Sequence, residues 1–281
     1  MSEEIAHQGI ATATPTFAQR LQSIGYTLLS PDTTPNRLRM QIVSLFDYTG
    51  EALKPWAEAG YECFAYDIQH AEIHRDGISF LHADLHDSAT VRSIVERHSG
   101  KVRLVSAFPV CTDLAASGAC WWAGKRKADP EFQERAARRA MQCAEMAEAM
   151  GCDAWYVENP VGALSRLWRK PDHVFDPCEY GGYLSETDEH PLYPQHIPPC
   201  DAYRKKTCIW HGPGFTVPPK RPVEPVQVVC ARKRTGGTCR YAPQAAGLGG
   251  RSQRTKDIRS ATPRGWARAV FEANFTLRGA V

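Results

Sequence analysis

Between Met40 and Val157 this 281-residue chain alternates short apolar runs with longer amphipathic stretches, and that alternation limits its fold more than any other feature. Met40–Phe46, Glu62–Tyr66, Ile78–His82, Val102–Phe108 and Ala154–Val157 have the length and apolar character of buried strands. Between them, Glu51–Ala59, ended by Gly60, reads as a helix. So does Ser88–His98, with Val91, Ile94 and Val95 on one face. Asp129-Pro130 opens the clearest helix, in which Phe132, Ala136, Ala140, Cys143, Ala147 and Met150 recur at helical spacing before Gly151 stops it. Strands separated by helices cross over right-handed into a parallel sheet. The expected fold is therefore α/β, a Rossmann-like, doubly wound, mostly parallel sheet.

The length suits one such domain with a small, irregular second lobe rich in Pro and Gly. The expected division is a polar amino-terminal extension over residues 1–38, a catalytic domain over 39–212, a small basic lobe over 213–255, and a carboxyl-terminal helix within 256–281 that returns to the catalytic domain. Thr262-Pro263 caps that helix, with Trp266, Val270 and Phe271 facing inward. Beyond Pro171, strand-like pieces occur at Thr207–Trp210 and Val226–Cys230, and the Gly-rich stretch 236–250 reads as loop. Ten cysteines without paired spacing, and no signal-peptide pattern in the opening residues, predict a reduced, cytoplasmic protein. No apolar run reaches the roughly 18 residues of a membrane span. Net charge is only +3, but the cations from Lys220 to Arg268, Arg232, Lys233 and Arg234 among them, are opposed only by Glu224 and Asp257. Such a one-signed segment suits phosphate neutralisation and predicts a nucleic-acid partner.

The chemistry gathers at strand ends, where open α/β sheets bind ligands. The turn Phe46-Asp47-Tyr48-Thr49-Gly50 follows the first strand without a full Gly-x-Gly-x-x-Gly. Asp67 closes the second strand, about 20 residues on, the distance at which an acid meets ribose hydroxyls. Asp84 follows the third. Three successive acidic strand ends point to a nucleoside cofactor. The fourth strand runs into the proline-bounded turn Phe108-Pro109-Val110-Cys111-Thr112, and the fifth delivers Glu158-Asn159-Pro160 to the same edge. A thiol and an acid facing one substrate suit addition to an electron-poor ring: the thiolate attacks a ring carbon while the acid protonates a ring nitrogen. Cys178, His190, His196, Cys200 and Cys208 include zinc-ligand types, but their spacings match no Cys-x-x-Cys knuckle, and no metal is expected.

Phe108-Pro109-Val110-Cys111 resembles the Pro-Cys loop of the DNA (cytosine-5)-methyltransferases, and Glu158-Asn159-Pro160 is similar to their Glu-Asn-Val motif. Leu45-Phe46-Asp47-Tyr48-Thr49-Gly50 looks like their cofactor loop. Order and spacing match as well, nearest to small bacteriophage-type members, over residues 41–212 and more weakly over 260–275. Val110 departs from the family's second proline, Thr112 from the glutamine of longer members, and Tyr203-x-Lys205-x-Thr207 from Gln-x-Arg-x-Arg.

The resemblance implies methyl transfer from S-adenosylmethionine to carbon 5 of cytosine in DNA, with Cys111 adding to carbon 6 and Glu158 protonating ring nitrogen 3. A base in a duplex would have to be flipped out. Phe46, Asp47, Gly50, Asp67, Ile68, Asp84, Leu85 and Pro109 would bind the cofactor. Thr112, Trp121, Trp122, Lys125, Arg126, Asn159, Lys205, Thr207, Arg232, Lys233 and Arg234 would face substrate or DNA, duplex or single-stranded. The expected state is a monomer, in a bacterial host cell if phage-encoded. Two alternatives remain open: the same fold acting on a nucleotide, RNA or uracil derivative or with a modified cofactor, and a catalytically silent nucleic-acid-binding relative.

Overall fold

Strands that are apolar on both faces can bury them only between helical layers, which is the environment of a parallel sheet. In the computed structural model, β1 (Gln41–Leu45), β2 (Glu62–Asp67), β4 (Ile78–His82), β5 (Val102–Ala107) and β6 (Ala154–Pro160) lie parallel. The structure describes residues 41–226, 228–231, 238–241, 248 and 252–275. The expected extension 1–38 and Arg232, Lys233 and Arg234 lie outside them. The eight-stranded sheet runs β3-β4-β2-β1-β5-β6-β8-β7. Short β3 (Ile73–Arg75) pairs antiparallel with β4, and β8 (Thr207–His211) pairs antiparallel with both β6 and β7 (His173–Phe175). The fold is mixed α/β and Rossmann-like, with antiparallel β8 wedged near one edge and antiparallel β3 at the other. From β1 the chain builds outward through β2 and β4 on one side, then through β5 and β6 on the other. The switch point, where such sheets open a crevice, lies between the carboxyl ends of β1 and β5.

The helices are α1 (Lys54–Glu58), α2 (Ser88–His98), α3 (Trp122–Ala128), α4 (Phe132–Ala149), α5 (Leu164–Leu167), α6 (Gln253–Ser260) and α7 (Arg264–Asn274). Asp87 caps α2 by accepting from the Thr90 amide and hydroxyl, each at 2.8 Å. Helix α7 seals the sheet's far side: Trp266 is fully buried, stacked on Phe175 at 4.3 Å and edge-on to Tyr180 at 5.0 Å. Truncating a tryptophan so enclosed costs about 3–5 kcal/mol.

Several boundaries differ from the sequence reading for identifiable reasons. β6 runs through Pro160 rather than ending at Val157, because β8 pairs Glu158 with Ile209, Asn159 with Cys208 and Pro160 with Thr207. Residues 112–127, given no helix in the sequence reading, are largely helical, a 3₁₀ segment Ala116–Trp121 leading into α3. Asp129 does not cap α4. It is extended, closes α3, and its carboxylate accepts from the Glu131 amide at 3.3 Å, so α4 begins at Phe132. The final helix begins at Arg264, preceded by α6, which the sequence reading lacks. Within the Gly-rich stretch read as loop, β10 (Thr238–Tyr241) pairs antiparallel with β9 (Val228–Ala231). No helix among the described residues is long and apolar enough to cross a membrane.

Two buried histidines give the fold a pH signature. His98 bonds Tyr66 Oη through Nε2 at 2.7 Å and Gln41 Oε1 through Nδ1 at 2.9 Å. Burial, aided by Arg97 and Lys101, holds its pKa at about 4, and burial beside Arg264 and Lys54 does the same for His190. A histidine depressed in the folded state is protonated more readily when unfolded, so stability rises with pH between the two pKa values. We expect urea-unfolding stability to be intact above about pH 6.5 and to fall toward pH 4. At pH 4.5 the loss is about 2 kcal/mol for each histidine, and His98→Gln removes one share of that slope.

Candidate active site

The crevice between β1 and β5 is built first by hydroxyls inside otherwise apolar strands. Register places Ser44 beside Ser106, whose hydroxyl donates to Ser44 Oγ at 2.9 Å. Ser44 in turn donates to Asp47 Oδ2 at 2.8 Å, and Asp47 Oδ1 accepts from the Gly50 amide at 2.8 Å. This line of bonds holds a tight loop in which Phe46 has φ 56° and Gly50 has φ 70°. For Phe46, a side chain in the left-handed region costs on the order of 1 kcal/mol and persists only because its surroundings impose it. At Gly50 a Cβ would also lie 2.8 Å from the Phe80 ring. Asp47 is buried, and burial raises its pKa despite the Ser44 and Gly50 bonds. Its carboxylate is turned into its own loop, so the residue organises the crevice rather than lining it.

Of the next two acids, Asp67 is buried and Asp84 half-buried. The hydrogen bonds of the Asp67 side chain fall on Oδ1, from the Gln69 amide at 2.8 Å and Gln69 Nε2 at 3.4 Å. Ile68 beside it is 55% exposed, unusual for isoleucine at a strand end. Asp84 Oδ1 accepts from the His86 amide at 2.9 Å, Leu85 is buried, and Phe46 reaches across to His86 with ring centroids 5.9 Å apart. His70, absent from the sequence reading, meets the Asp47 carbonyl at 3.0 Å and stacks on Tyr48.

On the other side of the crevice, the Cys111 turn is pinned by backbone. The Cys111 carbonyl accepts from the Leu114 amide at 3.0 Å and the Ala115 amide at 2.9 Å. Ala116 donates to the Val161 carbonyl at 2.9 Å, and Ala163 donates to the Leu114 carbonyl at 2.8 Å. Gly162 makes this approach possible, since a Cβ there would sit 1.8 Å from the Leu114 oxygen. Asn159, fully buried, donates from Nδ2 to the Pro109 carbonyl at 2.9 Å. Pro109 is buried while Val110 is 57% exposed.

This pinning brings Cys111 into electrostatic contact with Glu158. Burial raises the Cys111 pKa, the Glu158 charge raises it further, and Lys205 opposes both. Glu158 is itself raised by burial, with Lys205 and a side-chain bond to Thr207 acting downward. Lys205 is held from α6, where Nζ donates to the Arg259 carbonyl at 2.8 Å. The thiol, the acid and one cation are thus gathered at one sheet edge, and the predicted positions Lys205 and Thr207 belong to the same cluster.

The other predicted substrate-facing residues divide. Thr112 and Trp121 are exposed, whereas Trp122 packs partly against the core. Lys125 pairs with Asp113 at 2.5 Å, and Arg126 donates to Gln133 Oε1 of α4 at 2.6 Å, so both cations are engaged within the protein. Among the described residues no group of three or more His, Cys, Asp or Glu is gathered as for a metal, and Cys200 Sγ donates to the Ser185 carbonyl. A cavity of about 360 Å³, lined by Tyr66, His82, Thr90 and Arg97 among others, lies along α2 and does not include Cys111.

No family model and no curated protein matches the chain. The solved structures to which the chain is similar include an E. coli protein described as a "putative DNA modification methyltransferase encoded within prophage". It is 12% identical, at a TM-score of 0.38, over 70% of this chain. The match spans 62% of that chain, less than two thirds of its length. At this distance the likeness is loose, and the strand order and side-chain geometry of the chain itself carry more weight.

Gly162→Ala is expected to force the Leu114 carbonyl away and cost about 1–3 kcal/mol of stability. Chemical denaturation and the alkylation rate of Cys111 will show whether the two turns are joined at this contact.

Proposed function

We propose that the protein transfers a methyl group from S-adenosylmethionine to carbon 5 of a pyrimidine, cytosine in DNA, through a covalent adduct on Cys111. The observation that carries the reading is the coupling of Cys111, in the turn that follows β5, to Glu158 on the neighbouring parallel strand β6, both on the carboxyl side of the sheet next to its switch point. The donor set fits an adenosyl group: Asp67 keeps one carboxylate oxygen for ribose hydroxyls, exposed Ile68 offers an apolar face for a base, and Asp84 and Leu85 follow at the next strand end. When bound, S-adenosylmethionine supplies the electrophilic methyl group that carbon 5 accepts.

The chain's own residues handle the ring. Cys111 as thiolate forms a bond to carbon 6 while Glu158 as acid gives its proton to nitrogen 3, which leaves carbon 5 electron-rich without a free carbanion. After the methyl group is accepted, water takes the proton from carbon 5, the electron pair left behind re-forms the carbon 5–carbon 6 double bond as Cys111 departs as thiolate, and Glu158 recovers the proton from nitrogen 3. Burial raises the pKa of both groups and the Glu158 charge bears on Cys111, so they titrate as a coupled pair that holds one proton between its two steps. The productive arrangement puts it on Glu158. Neutralising Glu158 removes the charge that holds the Cys111 thiol up, so the acid and the thiolate support one another.

Exposed Val110, Val161 and Trp121, at 57%, 42% and 62%, border the Cys111 turn and suit contact with a base displaced from its stack. Within the basic segment from Lys220 to Arg268, Lys220, Arg221, Arg264 and Arg268 are paired with Glu179, Glu272, Asp188 and Glu58, so the fit to a phosphate backbone rests on the other cations of the segment.

Incubation with S-adenosylmethionine and DNA containing 5-fluorocytosine should trap a covalent complex that Cys111→Ala abolishes; absence of any adduct on duplex or single-stranded DNA would overturn the reading. Activity should follow a bell-shaped pH profile, falling at low pH as the thiolate is lost and at high pH as Glu158 ionises. Glu158→Gln separates the two effects: transfer falls, while Cys111 alkylation at fixed pH quickens because a negative charge beside the thiol is gone.

A further inference from the structure

Helix α4 buries Phe132, Gln133, Ala137, Ala140, Cys143, Ala144, Met146 and Ala147, and Gln133 is the one polar member of that set. It is 3% exposed. A buried amide in an apolar face costs free energy unless both its ends are satisfied. Both are. Gln133 Nε2 donates to the Asp113 carbonyl at 3.1 Å, and Gln133 Oε1 accepts from Arg126 at 2.6 Å.

These partners stand at the two ends of one segment. Asp113 lies two residues after Cys111, and Arg126 lies in α3, beyond the 3₁₀ turn that carries Trp121. Lys125 closes the same ring by pairing with the Asp113 carboxylate, and its ammonium lies 5.9 Å from the Phe132 ring centroid. A single buried side chain therefore ties the start of the segment to its end and both to a long helix. The bonds from Asn159 and across Gly162 hold the Cys111 turn from the β6 side, so Gln133 supplies the opposing hold.

We propose that Gln133 is a positioning residue for Cys111: its two-ended bond fixes residues 112–128 as one body that presents the thiol and Trp121 in the absence of substrate. The proposal rests on the reading of Cys111 as nucleophile, and it deepens that reading by assigning the control of the nucleophile's placement. A leucine or methionine would fill the same volume in α4 and satisfy the helix, but it would leave the Asp113 carbonyl and the Arg126 guanidinium without this partner. Glutamate would keep the Arg126 bond as an ion pair and lose only the donor to Asp113. The two substitutions therefore release different ends of the segment.

Amide hydrogen exchange of the full chain without any ligand tests the clamp itself. Gln133→Met should raise exchange across residues 112–128 by at least 10-fold while β1, β5 and β6 keep their protection; Gln133→Glu should raise it mainly near Asp113. With the 5-fluorocytosine DNA, Gln133→Met should slow adduct formation at saturating DNA by about 100-fold, the scale of an ångström of misplacement, with little change in half-saturation. Gln133→Glu should fall between it and the unaltered protein. Unchanged exchange in both variants, or slowed trapping that tracks weakened DNA binding, would overturn the proposal. Failure of the unaltered protein to form any adduct would instead count against the transfer reaction, and the exchange experiment would still decide the clamp.

Discussion

The antiparallel pairing of β8 against β6 is the constraint on which the rest of the site depends. Without it, Glu158-Asn159-Pro160 would leave the sheet as a loop, and the acid would have no fixed direction. With it, the strand is held between β5 and β8, and side chains at successive positions are committed to opposite faces. Asn159 can then reach the Pro109 carbonyl, and the following Gly162 meets Leu114 at a distance only a glycine allows. The Cys111 turn is thereby referenced to the same rigid strand as its acid partner. Two groups that are 47 positions apart in sequence acquire a geometry set by sheet hydrogen bonds.

The crevice shows two ways of fixing a loop. On the β1 side a line of side-chain bonds, Ser106 to Ser44 to Asp47 to the Gly50 amide, crosses from one strand to the next and holds a left-handed phenylalanine. On the β5 side the work is done by backbone bridges, with side chains added at their margins. The first arrangement puts a carboxylate under the loop and burial pushes its pKa up, so the loop's order is tied to ionisation of Asp47. The backbone bridges of the second carry no charge themselves, although Lys125 with Asp113, and Cys111 with Glu158, lie beside them. The electrostatic sensitivity of the site is therefore concentrated in Asp47 on one wall and in Cys111 with Glu158 on the other.

Much of this was readable in the chain, because Cys111, Asp67, Asp84 and Glu158 each end or interrupt an apolar run, and such runs announce strands. The reading failed where the signal is carried by partners rather than by pattern. Ser44 and Ser106 look like ordinary small residues until register sets them side by side. Gln133 is one polar position in an amphipathic helix and reads as solvent-facing, and only the tertiary contact with Asp113 reveals that it is buried. The segment 112–128 lacks apolar periodicity and has two glycines, which favours a loop on local grounds; its helical state is stabilised by the ends being tied together. Asp47 is a further case: its place after the first strand is legible in the sequence, but its bonds to Ser44 and the Gly50 amide appear only in the fold.

The enclosure of Trp266 by Phe175, Tyr180 and Tyr156 has a consequence for how the protein comes into being. During synthesis, every strand of the large sheet has left the ribosome before α7 does, so the sheet must wait with an aromatic face uncovered. At typical rates of about 5–20 residues per second, the gap between β8 and α7 spans several seconds. In that interval the exposed rings form a sticky surface, and capture by a chaperone or by a neighbouring nascent chain competes with the arrival of the last helix. The protein's yield in a cell should thus depend on translation speed through a stretch that touches neither Cys111 nor Glu158.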